Sequence, residues 1–220
     1  MPQSHVRGIG VNYKNDRQED DYYATPPRAI DDLLSKITLN KNVWECACGG
    51  GALSDKLIEL GYNVVATDIK DRGAKKFDKI YDFLAEDTKQ VNCDIVTNPP
   101  YKLATEFVTK ALNTVMVGNK VCYFLKIQFL EGAKRYEKLY KHNELKHVFV
   151  YSKRISTAKN GEFDKYKSTA MCHAWFVWEK GYKGKPTIDR FDIECVLIGH
   201  SPFSCYFQLI TSLSVNISNQ

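Results

Sequence analysis

Apolar residues along the chain recur with two periods, one typical of buried strands and one typical of helices. Short apolar runs that suit buried strands occur at 43–45, 62–68, 80–84, 95–96, 121–125, 147–151 and 171–178. Between several of them, apolar residues return every three or four positions, as at Leu53, Leu57 and Leu60, which predicts amphipathic helices. Strands that alternate with helices predict an α/β fold, with a mostly parallel sheet of about seven strands and helices on both faces.

The two ends of the chain differ in composition from its middle. Residues 1–20 are polar and show no period, which predicts a flexible N-terminal arm. The first helix is predicted to begin after Thr25, a suitable N-cap, because Pro26 and Pro27 fit a first helical turn. Residues 195–220 contain no Lys, Arg, Asp or Glu. We therefore expect a folded domain at 21–194, followed by an uncharged tail of unknown role.

The composition is typical of a globular protein in a reducing compartment. Of its 220 residues, 44% are hydrophobic and 26% are charged, and its apolar runs are too short to span a membrane. Seven cysteines without a secretory signal pattern predict reduced thiols and a cytoplasmic location. Cys46 and Cys48 have no second pair of ligands with matching spacing, so no metal site is expected.

The stretch with the most chemical information runs from Asp94 to Tyr101. A short apolar run there ends in Asn98, two prolines and Tyr101, which predicts a buried strand that stops in a stiff loop. The Asn98 oxygen and the Pro99 carbonyl are two neighbouring acceptors, and they suit an amino group with two N–H donors. Tyr101 adds a flat face on which a planar group can stack. Taken alone, these residues are also an ordinary turn signal.

A second informative stretch, 43–53, joins an apolar strand to a helix through a glycine-rich turn. Glu45 ends the strand, and Gly49 and Gly51 follow it. The turn lacks the Lys-Ser or Lys-Thr of a phosphate loop, and it has no Gly or Ala at position 54, where a dinucleotide loop has its third glycine or alanine. An acid before the glycines suits a ligand with a positively charged amino acid end. Strand, turn and helix together predict the first unit of a doubly wound sheet.

Two further acids accompany predicted strands. Asp68 ends the strand at 62–68 and follows the glycines at a distance of about twenty residues, where a carboxylate suits the two hydroxyls of a ribose. Asp71 is a competing candidate for that role, and an ordinary turn is the alternative explanation of Asp68. Asp82 lies beside Phe83 in the strand predicted at 80–84.

These stretches resemble the motifs of the S-adenosylmethionine-dependent DNA adenine N6-methyltransferases. The run from Asn98 to Tyr101 resembles their Asn-Pro-Pro-Tyr motif, and the run from Glu45 to Gly51 resembles their first motif. The resemblance covers about residues 20–190, and the whole chain looks like the small members encoded by phages and prophages. It implies a Rossmann-like class I methyltransferase fold, S-adenosylmethionine as cofactor, DNA as partner, and a cytoplasmic location in a bacterium or a phage-infected host cell.

The resemblance also implies roles for the matching residues. Glu45 is expected to face the methionyl ammonium, Asp68 the ribose, and Asp82 with Phe83 the adenine of the cofactor. Binding of the target amino group and its base is expected of Asn98, Pro99, Pro100 and Tyr101. The full set of expected cofactor neighbours is Tyr23, Thr25, Glu45, Cys46, Ala47, Gly49, Gly51, Asp68, Ile69, Asp82, Phe83 and Asn98.

A long loop before the last predicted strand belongs to the most basic part of the chain. The net charge is +5, and residues 126–167 contain eleven basic and five acidic residues. In the loop, basic residues interleave with aromatic ones, which suits the phosphates and bases of a nucleic acid. An exposed, solvated loop is the alternative interpretation. Nucleic-acid contacts are expected at Lys153, Arg154, Lys159, Asn160, Phe163 and Lys165.

The same tetrapeptide occurs in enzymes that act on other substrates. RNA adenine methylation would use the same pocket, and protein glutamine methylation shares the motif, although that family carries a helical domain before its first motif. A non-catalytic nucleic-acid-binding module on the same scaffold is a third alternative. Only about fifty residues separate the glycine turn from Asn98, so we expect target recognition to depend on short loops. Nothing in the sequence indicates an oligomeric state.

Overall fold

The computed structural model describes residues 23–141, 144–159 and 171–191. The expected arm at 1–20, the tail at 195–220 and three expected nucleic-acid contacts, Asn160, Phe163 and Lys165, lie outside the described residues. Within the described part of the chain, no helix has the length and apolar character needed to cross a membrane.

Ten strands occur in the described residues, and eight of them form one large sheet. The strands are β1 (Tyr23–Ala24), β2 (Asn42–Glu45), β3 (Asn63–Asp68), β4 (Lys79–Ile80), β5 (Asp94–Thr97), β6 (Lys120–Lys126), β7 (Leu145–Tyr151), β8 (Ala158–Lys159), β9 (His173–Glu179) and β10 (Thr187–Phe191). The large sheet has the order β10-β7-β9-β6-β5-β2-β3-β4. Neighbouring strands are parallel, except that β9 runs antiparallel to β6 and β7. The predicted α/β fold with a mostly parallel sheet is therefore confirmed.

Helices cover both faces of the sheet. They are α1 (Arg28–Leu34), α2 (Ala52–Glu59), α3 (Ala104–Thr114) and α4 (Ala133–Arg135), the last continued by a π-helical turn at Tyr136–Tyr140. Successive strand residues point to opposite faces, so the apolar residues divide into two cores. Leu33 of α1 and Leu57 of α2 pack in one core, while Phe107 of α3 and Leu139 of the π-helical turn pack in the other.

The structure corrects three expectations about the elements. The strand predicted at 80–84 ends at Ile80, because Asp82 caps a turn by accepting hydrogen bonds from the backbone N–H groups of Leu84 and Ala85. Thr25 does not cap α1, whose N-cap is Pro27 and has no side-chain hydrogen bond. An eighth strand, β10, extends the sheet beyond β7; it is exposed over most of its length, so the hydrophobic pattern did not reveal it.

Candidate active site

The candidate site lies at the carboxyl ends of three neighbouring strands. In the sheet, β2 lies between β5 and β3, and all three are parallel. Glu45 ends β2, Asp68 ends β3, and Asn98 directly follows β5. Parallel strands bring their carboxyl ends to the same sheet edge, so three polar residues that are far apart in sequence meet there.

A crevice opens along this edge, with about 960 Å³ of empty space when the open solvent at its mouth is included. The sequence-predicted residues that line it are Tyr23, Thr25, Glu45, Cys46, Ala47, Asp68, Ile69, Asp82, Phe83, Asn98 and Pro100. Gly49, Gly51, Pro99 and Tyr101 are not among its lining residues. The structure thus brings together most of the expected residues around one cavity.

The glycine turn after β2 lies beside the crevice, which Cys46, Ala47 and Cys48 line. The backbone N–H of Gly49 donates to Asp68 Oδ2 at 2.9 Å, which ties the turn to the end of β3. Gly51 has φ of 85°, a left-handed conformation that favours glycine. A Cβ at this position would lie 2.9 Å from the Cβ of Ala74. Gly51 therefore permits both the turn and the close approach of the 69–78 loop.

Glu45 is a buried acid at the crevice wall, only 2% exposed. Ser54 hydrogen-bonds its carboxyl group, but Glu45 Oε2 is buried with no hydrogen-bond partner among the described residues. Burial raises the pKa of Glu45 well above its usual value, and nearby Asp68 adds to the rise. A cationic group in the crevice would relieve both the missing contact and the unfavourable burial of a negative charge.

Thr25 presents a second buried oxygen to the crevice. The residue is 2% exposed, and its Oγ1 has no hydrogen-bond partner within the described part of the chain. The side chain that was expected to cap α1 therefore faces the cavity instead. Unpaired buried polar groups are costly, and two of them in one crevice fit a polar ligand that carries both a donor and an acceptor.

Asp68 at the end of β3 and Asp82 after β4 accept backbone hydrogen bonds in turns, and both also line the crevice. Asp68 Oδ1 accepts a hydrogen bond from the backbone N–H of Lys70 at 3.2 Å. Asp71, the competing candidate, is exposed, accepts from Gly73 N–H and does not line the crevice. Phe83 is buried and packs edge-on against Trp44, with ring centroids 5.3 Å apart. Asp68 retains acceptor capacity for a ligand, because each carboxylate oxygen has two lone pairs.

Asn98 occupies the corner between the crevice and the loop after β5. Its Nδ2 donates to the backbone carbonyl of Tyr23 at 2.8 Å. Because a carbonyl only accepts, this contact fixes the orientation of the amide and turns Oδ1 away from Tyr23. Asn98 Oδ1 is buried and has no hydrogen-bond partner among the residues described. The corner therefore offers one oriented acceptor at the crevice wall.

Tyr101 begins a short 3₁₀ turn, Tyr101–Leu103, next to this corner. Its hydroxyl lies 3.2 Å from Nε2 of His173, and Lys126 Nζ lies 4.3 Å from its ring centroid. Neither neighbour was expected from the sequence, because Lys126 ends β6 and His173 begins β9. The antiparallel pairing of β6 with β9 places these two residues directly opposite each other.

A two-stranded ribbon connects the corner to the basic loop. β1 pairs antiparallel with β8, with Tyr23 opposite Lys159 and Ala24 opposite Ala158. Ile155 is fully buried, whereas Lys153 and Arg154 are exposed. The start of the loop is therefore anchored to the protein while its two basic side chains face solvent.

The cysteines of the crevice are buried thiols. Cys46 and Cys48 line the crevice. The five cysteines in the described residues are all free of disulfides. Burial raises the pKa of both thiols above the usual range. Both groups are therefore neutral and poorly nucleophilic. Cys46, Cys48, Cys93, Cys122 and Cys172 are free cysteines in the structure.

Sequence reasoning missed several residues of the crevice. Arg72 is the basic side chain that lines it in the described part of the chain, and Ala24, Cys48, Ala52, Leu53, Leu84, Leu103 and Phe107 complete the lining. Most of these are small or apolar residues, and the periodic pattern of the helices and strands already accounted for them as core residues. Arg72 lies in the irregular loop between β3 and β4, where no period marks a residue as facing a site.

Comparison with known proteins gives similarity in structure alone. No protein-family model matches the chain, and no curated protein does. A structure from Listeria monocytogenes assigned as a class I S-adenosylmethionine-dependent methyltransferase is 12% identical, with a TM-score of 0.53 over 81% of this chain and 68% of that one. A predicted O-methyltransferase from Agrobacterium tumefaciens is 11% identical, with a TM-score of 0.53 over 73% of this chain and 85% of that one.

A restriction enzyme also contains a similar unit. The type IIG restriction endonuclease BpuSI is 16% identical, with a TM-score of 0.51 over 74% of this chain and 26% of that much longer one. Taken together, the similarities show that this chain has the Rossmann-like fold of class I methyltransferases.

Proposed function

We propose that the protein is an S-adenosylmethionine-dependent methyltransferase that modifies the exocyclic N6 amino group of adenine in DNA. The observation that carries the proposal is the buried acceptor Asn98 Oδ1, which has no partner among the described residues and stands at the wall of the crevice. An aromatic amine has N–H donors that match such an acceptor. The Asn-Pro-Pro-Tyr sequence at 98–101 supports the same assignment.

The crevice residues fit S-adenosylmethionine. Glu45 Oε2 and Thr25 Oγ1 are buried and have no hydrogen-bond partner in the described part of the chain, and we assign them to the amino acid end of the cofactor. We assign Asp68 to the ribose and Asp82 with Phe83 to the adenine, since these residues line the crevice. When bound, this cofactor supplies an activated methyl group, so the reaction requires no metal-bound or covalent enzyme intermediate.

The corner residues orient the acceptor. Asn98 Oδ1 accepts an N–H of the target amine, and the Pro99 carbonyl accepts the other. Acceptors that are already fixed in place bind more tightly as positive charge develops on the nitrogen, and this difference lowers the barrier. Tyr101 stacks with the base. Pro100, with φ of −54° and ψ of 121°, keeps this loop extended beside the crevice.

The choice of DNA as substrate rests on the basic loop and on how a target base in a duplex would reach the corner. Lys153 and Arg154 are exposed beside the ribbon that contacts Asn98. A base in a duplex must be flipped out before it reaches such a corner, at a cost of a few kcal/mol. Stacking worth roughly 1–3 kcal/mol per base and phosphate contacts offset part of that cost.

The proposal is tested by transfer of a tritiated methyl group from S-adenosylmethionine to unmethylated DNA, RNA and a protein extract in parallel. We expect label in DNA, recovered as N6-methyladenine after digestion. The Asn98→Ala variant should lower the label by roughly 10²–10³-fold, whereas Asn92→Ala, a change at an exposed residue just before β5, should preserve it. Label in RNA or protein alone would reassign the substrate, and DNA labelling that survives Asn98→Ala would refute the assigned site.

A further inference from the structure

His173 lies directly behind the corner that holds the proposed target. It is the first residue of β9 and is 1% exposed. Its imidazole stacks on Phe124, with centroids 4.9 Å apart and planes 19° apart. Its Nε2 is 3.2 Å from the hydroxyl of Tyr101. The ring is therefore held in one orientation by packing and points one nitrogen at Tyr101.

The imidazole is neutral in this environment. Burial, with a smaller contribution from the positive charge of Lys126, lowers the pKa of His173 to about 4. A neutral imidazole has one N–H donor and one acceptor nitrogen. With the proton on Nδ1, which is buried and has no hydrogen-bond partner among the described residues, Nε2 accepts the hydroxyl proton of Tyr101.

Two neighbours thus restrain the Tyr101 ring. His173 holds the hydroxyl end, and Lys126 Nζ lies 4.3 Å from the ring centroid. Both come from strands in the middle of the sheet, which pair over seven residue positions.

We propose that His173 is a positioning residue that fixes the Tyr101 ring for stacking against the target base by accepting a hydrogen bond from the Tyr101 hydroxyl. The inference rests on the proposed function, because it assigns Tyr101 to the target base. His173 does not line the cofactor crevice. Its loss should therefore weaken binding of the nucleic acid and leave cofactor binding unchanged.

The test is a double-mutant cycle between His173→Leu and Tyr101→Phe. Each variant removes one partner of the contact, and Tyr101→Phe keeps the aromatic ring. His173→Gln provides a conservative rescue, since its side-chain oxygen can accept near the original Nε2 position. The matched control is His147→Leu. His147 lies in β7 opposite Val177, near the far end of β9 from His173, and it contacts Thr187. Measurements are KM and kcat for DNA, the Kd for an oligonucleotide, the Kd for S-adenosylmethionine and the unfolding midpoint.

We expect His173→Leu and Tyr101→Phe each to raise KM and the oligonucleotide Kd by about three- to tenfold, as for one neutral hydrogen bond. The double variant should be no worse than either single one, the cofactor Kd should stay constant, and His173→Gln should restore most of the affinity. Additive losses, an unrestored His173→Gln variant, or unchanged oligonucleotide binding in folded variants would overturn the inference alone. A wild-type protein that methylates no substrate would overturn the proposed function, and the inference with it.

Discussion

The side-chain amide of Asn98 donates a hydrogen bond to the backbone carbonyl of Tyr23, 75 positions earlier in the chain, at 2.8 Å. This contact decides which end of the amide faces the crevice. The oxygen is left buried and without a partner in the described part of the chain. The same β1 backbone pairs with β8, so the orientation of one catalytic candidate depends on a ribbon that also carries the basic loop.

Replacement of Asn98 should separate catalysis from cofactor binding. Asn98→Ala removes the acceptor, and we expect methyl transfer to fall by roughly 10²–10³-fold, as for loss of one preorganised polar group in an active site. Cofactor affinity, measured by calorimetry, should change only a few-fold because Glu45 and Thr25 remain. Asn92→Ala is the matched control. Equal loss of cofactor binding and activity would show that Asn98 acts on the cofactor instead.

Glu45→Gln should weaken cofactor binding through the ammonium group. Loss of a charge-assisted hydrogen bond predicts a roughly 10- to 100-fold higher Kd for S-adenosylmethionine. Methylthioadenosine, which lacks the amino acid end, should bind wild type and variant equally. Glu59→Gln, on the exposed end of α2, should change neither value. A similar loss with both ligands would contradict the assigned contact.

The same residue predicts a pH dependence of stability in the ligand-free protein. Burial raises the pKa of Glu45 in the folded state above the usual value of 4.5, so the folded protein holds this proton more tightly than the unfolded chain. Its contribution is favourable below the unfolded-state pKa and is lost as the pH rises towards the folded-state pKa. Glu45→Gln should therefore raise the unfolding midpoint relative to wild type increasingly as the pH rises above the usual glutamate pKa of 4.5. A difference that stays constant with pH would contradict the buried-acid explanation.

Gly51→Ala should cost more stability than the same change at Gly118. Both glycines have positive φ, 85° and 89°, so each substitution carries a left-handed penalty of roughly 1–2 kcal/mol. A Cβ at Gly51 also meets Ala74, whereas a Cβ at Gly118 meets no atom within 4 Å. Chemical denaturation should show an additional loss of about 1–3 kcal/mol at Gly51, together with weaker cofactor binding. Equal losses at both positions would mean that the 69–78 loop relaxes without cost.

Charge removal at the start of the basic loop should act on nucleic-acid binding alone. If Lys153 and Arg154 each contact a phosphate, replacing both with Ala should lower the slope of log Kd against log salt by about 2. The Kd for the cofactor should remain unchanged. Lys183 and Lys185, exposed beyond the end of β9 at the opposite sheet edge, provide a control pair. An unchanged salt slope would place the phosphates elsewhere.

The sequence alone determined the features that depend on neighbouring residues. The spacing of apolar residues identified the central strands and α1 to α3. Residues on one buried face recur every two positions in a strand and every three to four in a helix. Glycines at 49 and 51 and prolines at 99 and 100 marked the two turns, because their backbone limits act locally. Glu45, Asp68 and Asn98 were expected from the resemblance to neighbour one cofactor, and the structure places them at one sheet edge.

Only the tertiary structure decided which distant residues meet. Asn98 contacts Tyr23 and Tyr101 contacts His173, so these contacts join residues 75 and 72 positions apart. The local pattern of apolar residues carries no information about such distant contacts. Thr25 resembled a helix cap in sequence, yet Pro27 is the N-cap of α1 and Thr25 lines the crevice. Arg72 entered the site from an irregular loop. These outcomes depend on strand order and on the packing of loops across the sheet edge, which act over the whole chain.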